Sequence, residues 1–164
     1  MNGSPSRGYS GLQIALHWIV VALVAFQLVF GEDMADFFKM ELRGETPSSA
    51  TALSGNLHIW IGFAILAAVL IRLALRSRRA SPPEEGNRVL ALLARITHFA
   101  FYAILILMPI TGGLAYYLDV PALGEIHELG KPVLIALIAL HVLAALWHQF
   151  IRRDGLITRI LVPR

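Results

Sequence analysis

An all-α integral membrane protein, a four-helix bundle with both termini on the cytoplasmic side, is the fold class this sequence predicts, and three observations predict it. Hydrophobic residues fill 57% of the 164 positions and charged ones only 15%, against about 25% charged in ordinary soluble domains. Four apolar stretches are long enough to carry a helix across a hydrocarbon core of about 30 Å, which takes about 20 residues. All six histidines lie within or at the ends of those stretches.

The first helix is predicted over residues 12–30, LQIALHWIVVALVAFQLVF. Its apolar run exceeds the roughly 7–15 residues of a secretory signal and lacks a small-residue exit, so it reads as a retained span. Residues 31–54 form an outside loop, in which GEDMADFF reads as an amphipathic surface segment and GETPSSAT as a turn-rich lead into the second helix. That helix covers residues 55–75, GNLHIWIGFAILAAVLIRLAL. The paired prolines of RSRRASPPEEGNR then forbid a continuous helix into the third span.

The third span, residues 92–118, contains Pro109, which predicts a kink, followed by TGG, small residues suited to close helix packing. The fourth is purely apolar from Pro132, but a start near Gly124 places His127 and His141 on one helix of residues 124–151. Pro132 removes one backbone hydrogen bond and predicts a bend in its first turns. Four spans joined by short loops give one domain over residues 1–164.

Charge sets the expected topology. The N-terminal arm, the Arg72–Arg95 region and the tail from Arg152 hold eleven arginines against three acids, a balance of +8. The other side holds Lys39, Arg43 and Lys131 against eight acids, a balance of −5. The positive-inside rule then places both termini in the cytoplasm, and the basic clusters mark topology rather than a nucleic-acid surface. With no cysteine, disulfides, iron–sulfur clusters and covalent C-x-x-C-H haem attachment are excluded.

An ionisable residue in a membrane span is costly and points to function. His58 and His127, at the starts of the second and fourth helices, fall near the outer face, while His17, His98, His141 and His148 fall in the cytoplasmic half. His127 and His141 are fourteen residues apart, which on a helix returns the chain to within roughly 40° of the same face and separates the rings by roughly 21 Å. That spacing predicts two stacked metal sites. A b-type haem is held without covalent bonds by axial ligands from facing helices, and two imidazoles fill both axial positions. His58 pairs with His127 because no other histidine is near; for the inner site, depth alone leaves His17, His98, His141 and His148 open.

The segments YSGLQIALHW, NLHIWIG, VLIRLALR and RITHFAFYAILILMPITGGL, with the fourth helix, resemble the bacterial cytochrome b561 family of small inner-membrane dihaem cytochromes. More distantly they resemble the cytochrome subunits of nickel hydrogenases and formate dehydrogenases. The resemblance covers nearly the whole chain. It implies two b haems, the cytoplasmic-side iron held by His17 and His141 and the periplasmic-side one by His58 and His127. It also implies ubiquinone near the inner haem, where His98 and His148 are the candidates for quinone contact or proton exchange.

Arg72, Arg76 and Arg95 are the candidate partners of an inner haem propionate, with ordinary interfacial anchoring as the competing role. Trp18, Trp60 and Trp147 read as belt anchors, and Gly62, Gly112 and Gly113 as places where a macrocycle or a helix approaches closely. Met34, Met40 and Met108 are possible sulfur ligands that the histidines make unnecessary. The expected function is electron transfer across the bacterial inner membrane between the quinone pool and a periplasmic partner. The acidic outer side favours a cationic redox protein and disfavours anionic superoxide. Two alternatives are a superoxide oxidase that passes electrons to ubiquinone and the cytochrome b anchor subunit of a larger oxidoreductase. Membrane lipid is the remaining expected partner, and a homodimer is compatible with the reading.

Overall fold

In the computed structural model, described over residues 9–78 and 88–163, the chain forms α1 (Gly11–Phe30), α2 (Asp33–Leu42), α3 (Ser49–Arg78), α4 (Arg88–Tyr117) and α5 (Pro121–Trp147). A π-helical turn (His148–Arg152) and a short α6 (Leu156–Leu161) complete it. The proline pair between the second and third spans lies outside the described residues. Four of these helices, α1, α3, α4 and α5 with its π-turn, are long and apolar enough to cross a membrane. The protein is a multi-pass membrane protein, and large side chains such as Ile19, Leu70, Phe99 and Leu143 are exposed on the four helices, as a lipid solvent requires.

Each span begins with a local reason. Ser10 and Gln13 form a reciprocal capping box at the start of α1. Ser48 Oγ accepts from the Thr51 amide, so α3 begins six residues before its apolar run. Asp119, at a φ of 52°, turns the chain between α4 and α5, and Pro121 opens α5 where its missing N–H has no helical partner to lose. Helices α4 and α5 run on through Pro109 and Pro132. Because α5 is continuous from Pro121, His127 and His141 do share one helix.

Helix α3 packs against α1, α2 and α4, and α4 against α5. The buried core is a stripe of Leu16, Val20 and Val24 on α1 set against Ile65, Ala68 and Val69 on α3, with Leu134 of α5. The spacing of four residues along α1 keeps its three side chains on one face. The close α4–α5 approach depends on Gly130, where a Cβ would stand 2.8 Å from Met108 Cγ.

The amphipathic segment foreseen in the first loop is α2, which lies over one end of the bundle. Its buried residue, Phe37, covers Gly55, where any Cβ would overlap the ring. Phe37 also stacks on Tyr116 at 6.1 Å, and the Tyr116 hydroxyl donates to Glu41 at 2.8 Å. At the opposite end the π-turn and the left-handed Arg153 (φ 54°) and Gly155 (φ 71°) reverse the chain into α6. Trp18 Nε1 donates to the Ile160 carbonyl at 3.2 Å, so this tryptophan ties α6 to α1 in addition to any anchoring role.

Candidate functional site

At the α2 end, His58 of α3 and His127 of α5 face each other with ring centroids 5.9 Å apart and planes at 74°. Imidazole nitrogen binds a transition metal at about 2.0–2.1 Å, so two rings on opposite sides of one ion have centroids about 6.4 Å apart. The observed pair is within about half an ångström of that span. Both histidines line a cavity of about 550 Å³, together with Gly62, Gly112 and Gly113. One of the glycines singled out in the sequence is thus shown beside a histidine ring, since a Cβ on Gly112 would lie 2.9 Å from His127 Nδ1, while one on Gly113 would lie 3.3 Å from Phe63 Cζ.

The proton on His127 can be placed. Its Nδ1 lies 2.8 Å from the Met108 carbonyl. A carbonyl only accepts, so Nδ1 carries the hydrogen and the Nε2 lone pair is left to bind a metal. Met108 therefore serves the site through its backbone oxygen. His58 is held differently. Its Nδ1 is buried with no hydrogen-bond partner, and a Cβ on Gly31 would come within 2.8 Å of that atom. The carbonyl of His58 accepts from Gln27 Nε2 at 2.7 Å.

At the other end three imidazoles gather. The His141 ring stands 6.4 Å from His17 and 6.1 Å from His98, and Phe101 packs edge-on against it at 5.4 Å. Both histidine pairs have the separation of a two-imidazole site, so geometry brings three of the four inner candidates together without selecting one pair. Exposure separates them: His17 and His141 are half-buried and His98 is exposed. Arg72 donates to the Gln13 carbonyl at 3.2 Å, and its charge acts on all three rings. Arg76 lies 5.7 Å over the Tyr102 ring, and Arg95 is exposed.

His148 stands apart, held by a hydrogen bond from Nδ1 to Asp154 and by an edge contact with Trp147. Burial alone pushes the Asp154 carboxyl up. The bonds from His148 and the Leu156 amide, with the charges of His148 and Arg152, outweigh it and hold the group below its ordinary value. Asp154 is therefore ionised at neutral pH and anchors the reversal into α6.

Among the described residues, no group of three or more histidines, cysteines or carboxylates is arranged to hold a bare metal ion. Zinc usually takes four ligands, whereas haem iron draws four from its macrocycle and needs only two axial side chains from the protein. Paired imidazoles, one ring with its second nitrogen bonded to a carbonyl, and a glycine-sided cavity fit that group.

A family model described as prokaryotic cytochrome b561 matches residues 8–162. The chain belongs to the prokaryotic cytochrome b561 family. It is 29% identical to cytochrome b562 of Cereibacter sphaeroides, with 96% of this chain and 97% of that one aligned. It is 28% identical to a probable superoxide oxidase, CybB, of Yersinia pestis, over 94% and 96% of the two chains. Against cytochrome b561 homolog 1 of Escherichia coli K12 it is 27% identical over 95% and 98%. Membership makes this a membrane b-type cytochrome with an electron-transfer role, and the MPITGG segment gains a physical account. Met108 supplies the carbonyl for His127, while Gly112 and Gly113 leave room for His127 and Phe63.

Sequence reading missed Gln27, Gly31 and Asp154. A glutamine in the last turn of an apolar span was the available signal for Gln27, since a polar side chain there needs a partner. Gly31, directly after the span, reads as an ordinary helix stop.

Proposed function

We propose that this cytochrome carries electrons across the bacterial inner membrane through two b haems, between the quinone pool and a periplasmic partner. His58 and His127 hold the outer haem, and His17 and His141 the inner one. Both termini face the cytoplasm. The observation that carries this reading is the placement of two imidazole pairs, 5.9 and 6.4 Å across, at the two ends of the single helix α5.

When bound, each haem would supply a one-electron couple. The chain's own residues do the rest. Met108 O fixes the His127 ring, Phe101 packs against His141, and Arg72 places positive charge beside the inner cluster, where an anionic propionate is stabilised. Quinol oxidation releases two electrons and two protons, and quinone reduction consumes them. His98, exposed beside His141, and His148, bonded to ionised Asp154, are the groups at that end able to exchange the protons.

A second reading, superoxide oxidation at the outer face, is supported by the name of the Yersinia relative and by one feature of the cavity. Lys39 and Lys131 both line it beside His58 and His127, although Lys131 pairs with Glu32 at 3.2 Å. Glu32 and Glu128 line it too, so the lining is balanced in formal charge, less acidic than the outer loops as a whole.

A pyridine haemochrome assay on the purified protein is expected to give two b haems per chain; a colourless protein, or one haem, overturns the two-haem reading. Stopped-flow mixing with superoxide separates the two functions. Slow haem reduction supports the protein partner, whereas rapid reduction that slows with added salt establishes attraction of the anion by the cavity lysines.

A further inference from the structure

The two outer histidines are not held alike. His127 gives its Nδ1 hydrogen to the Met108 carbonyl, while the Nδ1 of His58 is a buried atom with no partner. One residue meets His58 on its backbone side. Gln27, in the last turn of α1, donates from Nε2 to the His58 carbonyl at 2.7 Å, and its other amide atom, Oε1, is likewise buried and unpartnered. The same turn ends at Gly31, whose missing Cβ leaves the space beside His58 Nδ1. A ring that binds metal through Nε2 carries its hydrogen on Nδ1. Adjacent residues thus hold a buried donor without an acceptor and a buried acceptor without a donor, and leaving either unpaired is costly.

We infer that Gln27 is the positioning residue of the outer haem. Its amide fixes the α3 backbone at His58 and supplies the oxygen that accepts the Nδ1 hydrogen once the iron is bound, as Met108 O does for His127. The inference rests on the reading of His58 as an axial ligand. Ligating histidines generally give their second N–H to a carbonyl, carboxylate or water, which orients the ring and strengthens its donation to the metal. A stronger donor stabilises the oxidised iron and lowers its reduction potential. Gln27 would therefore set both the plane of His58 and the potential of the outer haem through that ring.

The test uses the full-length cytochrome in detergent, with haem content, potentiometric titration and low-spin EPR as readouts. Gln27→Leu, close in volume and without either polar atom, is expected to retain the inner haem unchanged. It should raise the outer potential and move the outer haem's largest g value, which reports the relative orientation of the two imidazole planes. Gln27→Glu loses the donor to the His58 carbonyl but keeps an acceptor of greater strength, and is expected to lower the outer potential. If Gln27→Leu loses the outer haem, the sign of the Gln27→Glu shift decides alone. An unchanged or raised outer potential in Gln27→Glu, or an outer EPR signal in haem-retaining Gln27→Leu identical to the parent's, overturns the inference. The ligand reading fails separately: His58→Ala would then keep both haems.

Discussion

Replacing His58 or His127 with alanine is expected to remove one and the same b-haem component from the reduced-minus-oxidised spectrum, halving the haem per chain. Replacing His17 or His141 should remove the other. The two outer rings are 5.9 Å apart, and among the described residues no third histidine ring makes contact with that pair, so loss of either leaves a single axial ligand. The inner cluster makes the more searching test because His141 faces His17 at 6.4 Å and His98 at 6.1 Å. His141 belongs to both possible pairs, and its loss should abolish the inner haem whichever partner serves. His98→Ala should keep both haems. The exposed His98 is the less suited of the two to sit in a sealed site, whereas half-buried His17 lies one turn beyond Gln13, whose carbonyl binds Arg72. If His98→Ala loses the inner haem while His17→Ala keeps it, the axial pair is His98 with His141. Difference spectra at low temperature, with haem quantified per chain, distinguish these outcomes.

The order of spans and the outer pair were legible in the sequence because both depend on depth. A histidine's distance along an apolar run fixes its level in the bundle, and only His58 and His127 share the α2 end. Depth carries no information about azimuth. For that reason three histidines at one level, His17, His98 and His141, remained unsorted until the helices were packed. Even then the structure assembles them without choosing between two pairs.

Other features were hidden for different reasons. The span at residues 55–75 proved to start at Ser49 because a serine cap extends a helix beyond its apolar stretch. The end near residue 151 is a π-turn stopped by left-handed Arg153, a conformation arginine does not advertise. Trp18 is a suitable belt residue by composition, yet its indole donates to Ile160, 142 positions away. Contacts of that length leave no mark in local pattern. Pro109 and Pro132 lie inside α4 and α5, as their places within the two predicted spans require.

Gly112→Val is expected to eject the outer haem while leaving the inner one in place. A Cβ at Gly112 would stand 2.9 Å from His127 Nδ1 and 3.0 Å from Cε1, closer than side-chain carbons approach a ring. The ring cannot simply turn aside, because its Nδ1 hydrogen is given to Met108 O on the same helix as Gly112, one turn earlier. Displacement therefore breaks that bond and misaligns Nε2 together, leaving a half-buried donor unsatisfied at a cost of about 1 kcal/mol, with a further 1–3 kcal/mol or so of overpacking strain. The two γ-methyls of valine add to the crowding, so Gly112→Ala should show the same direction with partial occupancy. The inner haem provides the internal control. His17, His98 and His141 lie at the opposite end of the bundle, and energetic effects at sites well apart add independently. Loss of both haems from Gly112→Val would mean that the residue serves the packing of α4 on α5 as a whole. Retention of both at full occupancy would mean that His127 is not held where an iron ligand must be.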